Sequence, residues 1–164
     1  MELNLENFNI RRSEALIVGS YNLPENTEKY TVKAQGLIGL DVYKDDKIKI
    51  INTEGGQICE VVAFDSLGKN NQLIIGEKIS GDANFTKYIL TNSSDKKILL
   101  EKLKKKKIDF NKTKSSNIFN HDSLAKETSS LVVQENGFII FAAPGKDMQV
   151  DHQNAPTDIE VMIE

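Results

Sequence analysis

The chain has 164 residues, 39% hydrophobic and 27% charged, with a formal net charge of -3 and a single cysteine, Cys59. This length and balance fit one compact domain with a core of its own, and the acidic balance argues against a general nucleic-acid binder. No apolar run reaches the roughly 20 residues of a membrane span, no basic-then-apolar leader opens the chain, and a lone cysteine forms no intrachain disulfide, so the expectation is a cytoplasmic protein with no membrane partner.

Residues 1–12 are polar and read as a loose arm. Ala15-Leu16-Ile17-Val18 reads as a strand stopped by Gly19, and Asn22 to Asn26 as a turn around Pro24. Tyr30, Val32 and Ala34 alternate with Thr31 and Lys33, the period of a half-buried strand. Gln35-Gly36 ends that strand, and Leu37 to Val42 reads as its returning arm. Lys47-Ile48-Lys49-Ile50-Ile51 alternates again after a charged turn. The Gly55-Gly56 turn then feeds Gln57 to Asp65, and two such runs around a glycine turn read as a hairpin. Leu73-Ile74-Ile75-Gly76 reads as a short strand, and Tyr88-Ile89-Leu90 as a strand or a helical turn.

The clearest helix runs from about Ser94 to Lys107, with an apolar stripe of Ile98, Leu99, Leu100 and Leu103. Ser93 or Ser94 can cap it, Asp95 suits its positive end, and the Lys104–Lys107 run suits its negative end. That lysine run reads as a solvated helix end rather than a nucleic-acid patch, because no aromatic residue interleaves with it. Residues 109–120 read as a loop, and His121 to Lys126 as one helical turn capped by Asn120 or Asp122.

The remainder is β-rich. Ser130 to Val133 is followed by an Asn136-Gly137 turn, and Phe138 to Ala143 is apolar on both faces, as a central strand must be. Met148, Val150 and His152 share a face, and Ile159, Val161 and Ile163 alternate with Asp158, Glu160 and Met162. These elements give about nine strands and one well-defined helix near 94–107, a mainly β (α+β) domain over 1–164 built as an antiparallel barrel or sandwich.

Few polar residues carry chemistry. Glu60 lies between Ile58 and Val62 on a strand with no plain water face, so it is buried, and a buried carboxylate needs a partner or a use. It is the candidate catalytic acid or base, together with His121. Gln57 and Cys59 share the opposite face of that strand, and with Asp122 and His152 they are candidate ligand-binding residues. Glu60, His121 and His152 are the candidate ligands if a divalent metal is bound, although their spacing matches no local metal motif.

The stretch from Val42 through Gly55-Gly56-Gln57 to Glu60, Phe64 and Asp65 resembles the signature of the urea carboxylase-associated family. Glu60 stands where that family usually has Asp, and His121-Asp122-Ser123-Leu124 is similar to its His-Asp-Thr-Leu element. Asn154-Ala155-Pro156 stands in the region of the family's Cys-Pro element, without the cysteine. The resemblance covers roughly residues 29–65 and 119–125. It implies a small-molecule-binding or accessory domain in amine or one-carbon catabolism, or a deiminase or hydrolase acting on a carboxylated guanidine. A non-catalytic assembly module is the third alternative. The resemblance also implies a small polar nitrogen compound as ligand, an aminomethyltransferase domain or subunit as partner, and folate only through that partner. The oligomeric state is left open, as is whether the chain is complete or a domain of a longer protein.

Overall fold

The computed structural model describes residues 26–92, 96–110, 112–145 and 155–164. The described residues form nine strands: β1 (Glu28–Val32), β2 (Leu37–Val42), β3 (Lys47–Asn52), β4 (Cys59–Asp65), β5 (Gly81–Asp82), β6 (Lys114–Ile118), β7 (Glu127–Val132), β8 (Gly137–Ala142) and β9 (Ile159–Ile163). Two helices, α1 (Asn84–Asn92) and α2 (Lys97–Lys105), lie between β5 and β6. The strands form two sheets, ordered β1-β9-β3-β7 and β2-β8-β4-β6-β5, and the named pairings are antiparallel. Of the barrel and the sandwich that the sequence allows, the chain forms the sandwich. Its strand orders, 1-9-3-7 and 2-8-4-6, are those of a jelly roll, in which successive strands cross between sheets.

Side-chain alternation builds two cores. Val32, Ile48, Ile50, Cys59, Val61, Ala63, Ile139, Phe141, Ile159, Val161 and Ile163 fill the space between the sheets. The opposite face of β4 and β8 supplies Val62, Phe64, Phe138, Ile140 and Ala142, which pack under the helices against Leu90 and Leu103. Both strands are therefore buried on both faces, and each fully buried phenylalanine contributes about 1.5–3 kcal/mol over its exposed state. Gly39 on β2 leaves the room this layer needs. A β-carbon there would lie 2.5 Å from Phe138 Cζ and 2.9 Å from Leu99 Cδ1.

Side chains repair the sheet where β4 and β6 part beyond the Val61–Ser116 pair. Gln72 Oε1 accepts from Ala63 N at 2.7 Å, and its Nε2 donates to Val61 O at 3.0 Å and to Ser116 Oγ at 2.8 Å. Asn70 Nδ2 donates to Ala63 O and Lys114 O, while Asn70 Oδ1 accepts from Lys114 N. The amides take the places of missing ladder bonds, so the gap leaves few buried groups unpaired.

Several expectations change. β1 and β2 are not arms of one hairpin, nor are β3 and β4: each pair is split between sheets, because the intervening loops turn a corner. Residues 72–75 form a 3-10 turn rather than a strand, capped by Asn71 Oδ1 on Leu73 N and ended by Gly76 at φ 68°. Tyr88-Ile89-Leu90 is helical, within α1. Residues 114–118, read as loop for their polarity, are β6, because Ser115 and Ser116 bury their hydroxyls against the carbonyls of Asp82 and Lys78. His121 to Lys126 forms turns with no helix. Ile98 leaves the apolar stripe and is 83% exposed, since Leu99, Leu100 and Leu103 already fill the inward arc of α2. The strand at 15–18, the arm at 1–12, the Ser93, Ser94 and Asp95 cap, and the face of Met148, Val150 and His152 lie outside the described residues.

Candidate functional site

Strand β4 sends Cys59, Val61 and Ala63 to one core and Glu60, Val62 and Phe64 to the other. Glu60 is 6% exposed. Its Oε1 accepts from the backbone N–H of Thr86 at 2.9 Å and from the Thr86 hydroxyl at 2.6 Å. Thr86 is the third residue of α1, and Ala83 precedes the helix and accepts its first bond, from Lys87 N. Alanine has no side-chain oxygen for a helix cap, so Glu60 reaches across from the sheet and supplies one. Its negative charge also meets the positive end of the helix dipole. The carboxylate thus has a structural partner on the face the sequence assigned to it.

Cys59 faces the other way. It is 0% exposed, and burial, with the neighbouring Glu60 charge adding to it, pushes its thiol far above the ordinary cysteine range. A thiol held protonated in an apolar core is a packing group rather than a nucleophile.

Gln57 precedes β4 and is buried. Its Nε2 donates to Ile58 O and to Pro144 O, both at 2.8 Å, and its Oε1 accepts from Thr157 N at 2.9 Å. One amide therefore ties the β3–β4 loop to both ends of the β8–β9 connection. Asn52, fully buried, closes the same loop by donating to Gln57 O and accepting from Gly55 N. Thr157 Oγ1 is buried beside this network and has no hydrogen-bond partner among the described residues.

His121 and Asp122 are exposed in the loop between β6 and β7. This loop packs on the glycine turn: Gly56 N donates to Ser123 O at 2.8 Å, and Lys126 N donates to Asn52 O at 2.7 Å. Gly55 has φ 87°, and a β-carbon there would sit 2.8 Å from Ser123 O and from Ala125 N. The contact therefore needs glycine both for its backbone angle and for its lack of a side chain. Asn120 Oδ1 accepts from Asp122 N and shapes the loop.

The structure thus joins the Gly55–Gln57 turn and the His121–Asp122 loop at one end of the sandwich. It places Glu60 under α1 and Cys59 in the inter-sheet core, and His152 lies outside the described residues. Among the described residues no three His, Cys, Asp or Glu side chains group closely enough to hold a metal ion. No described helix is long and apolar enough to cross a membrane. Sequence reasoning missed Thr86, Asn52, Gln72 and Thr157. Gln72 carried a faint signal, as a lone amide opening the apolar run Leu73-Ile74-Ile75.

No family model matches the chain. The trimethylamine-oxide aldolase of Ruegeria pomeroyi is 33% identical to it over 145 residues, which is 87% of this chain and 18% of that protein. The chain therefore spans less than a fifth of the length of the curated relative it matches.

Proposed function

We propose that the chain is an accessory β-sandwich module of amine or one-carbon catabolism that binds a small polar nitrogen compound and does not transform it alone. The observation that carries this reading is the similarity to a module-sized fraction, 18%, of a protein named for trimethylamine oxide. The site geometry supports it. Glu60 is bonded to Thr86, the polar atoms of the Gln57 amide are taken up internally, and the Cys59 thiol is pushed up by burial. The ligand site in this reading is the loop end where the Gly55–Gln57 turn meets the His121–Asp122 loop, with Gln57 also bonded to Thr157, whose hydroxyl has no hydrogen-bond partner among the described residues. The module works in the cytoplasm beside a catalytic partner, such as an aminomethyltransferase domain, and folate is reached only through that partner.

Calorimetry of the purified chain tests the reading with trimethylamine oxide, glycine betaine, sarcosine and guanidine, and product assays run in parallel. Saturable heat with one of these compounds and no turnover is the expected result. Formaldehyde released from trimethylamine oxide, or ammonia from a guanidine substrate, by this chain alone makes it an enzyme and overturns the reading. Absence of heat with all four overturns it as well.

A further inference from the structure

The lysine run at the end of α2 is local in sequence, yet the fold enlarges it. The loop after β4 packs on the last turn of α2 so closely that a β-carbon on Gly68 would lie 2.2 Å from Lys106 O and 3.2 Å from Lys107 O. The same loop is bound on its other side to the start of β6 through Asn70 and Lys114. Three separate segments therefore meet, with residues 68–70 between the end of α2 and the start of β6. Lys69, Lys104, Lys105, Lys107 and Lys112 are all exposed. Lys102 and Lys106 turn inward to Asp41, and Lys114 binds Asp82. These segments also hold three acids, Asp65, Glu101 and Asp109, of which Asp65 turns its carboxylate to Leu67 N and Lys69 N, so the five exposed lysines outnumber them. A chain of net charge -3 thus keeps a concentrated positive face at this end.

We propose that this face, formed by Lys69, Lys104, Lys105, Lys107 and Lys112, docks an acidic surface of another polypeptide. Charge complementarity selects the partner. Nucleic acid fits less well. The face has no arginine to fork onto phosphate, and the nearby Phe110 ring is turned inward against Phe64, with centroids 5.3 Å apart, so no ring there is free to stack on a base. The proposal does not depend on the amine reading, because it uses none of the residues of that site.

The test is fluorescence anisotropy with a labelled oligoglutamate peptide, a short DNA duplex and vesicles containing phosphatidylserine, at low and physiological salt. The peptide binds wild type and weakens as salt rises. Two variants, Lys104→Glu/Lys105→Glu/Lys107→Glu on α2 and Lys69→Glu/Lys112→Glu outside it, each melt as wild type does and each lose about tenfold in peptide affinity. Tighter binding of the duplex or the vesicles than of the peptide overturns the proposal, and so does failure of wild type to bind the peptide. Loss confined to the α2 variant reduces the face to an ordinary helix end and overturns it too.

Discussion

Glu60 is held in place by one helix end, and that decides how its substitutions behave. Alanine at position 60 leaves the Thr86 N–H and hydroxyl buried without an acceptor, and urea unfolding will show a loss of about 2–3 kcal/mol. Glutamine keeps an oxygen for Thr86 but loses the charge, so Glu60→Gln costs roughly half as much. If Glu60→Ala leaves the urea midpoint unchanged, the cap is wrong. Cys59 follows the same reasoning. At mildly alkaline pH an aromatic disulfide reagent will modify it only when denaturant is present, because burial keeps the thiol protonated and out of reach. The burial of Glu60 and its opposition to Cys59 were readable from strand alternation. The partner, 26 residues away at Thr86, was not, since nothing in a local pattern encodes a bond between a sheet and a later helix.

Helix α2 is clasped by charge as well as by leucines. Lys102 and Lys106, one turn apart, each bind Asp41 at 2.8 Å, and their ammonium groups sit 5.1 and 5.2 Å from the Phe138 ring centroid. Partial burial works to raise the Asp41 carboxyl, but the bonds from the two lysines outweigh it and hold it below the usual aspartate range. A lowered folded-state value means stability that is present above the unfolded-state value and is lost as pH falls through the folded one. Asp41→Asn should therefore melt earlier than wild type at neutral pH, by at most about 1 kcal/mol after solvent screening, and the two should converge in strong acid. A gap that persists there points to a packing defect. The glycine turn behaves differently: Gly55→Ala forces a β-carbon into the backbone of the His121–Lys126 loop. It should cost more than about 1 kcal/mol in a thermal melt, because φ 87° and the 2.8 Å contacts both oppose it. The apolar period made α2 readable, while β6 went unread because two of its three buried residues are serines satisfied by distant carbonyls.

The sandwich depends on β9, the last described strand. β9 lies between β1 and β3, so the final segment completes a sheet begun by the first described strand. A chain cut after Gly145 loses β9 and with it the bonds of two neighbours, and its amide NMR spectrum should collapse to unfolded dispersion. Well-dispersed signals from that fragment would show that the second sheet and helices fold alone. The same long-range pairing predicts slow folding, in roughly milliseconds to seconds, as for other sheet proteins of high contact order.

Local pattern alone sets which residues alternate, which strands are apolar on both faces, where α2 runs and which carboxylate goes inside, because side-chain period and composition act within a few residues. The crossing of neighbouring strands between sheets, the capping of α1 by Glu60, the meeting of the glycine turn with the His121 loop, and the packing of Gly68 on the end of α2 come from the three-dimensional fold. Each of those outcomes depends on a contact between segments far apart in the chain, and such contacts are chosen by how the two cores close rather than by any local preference.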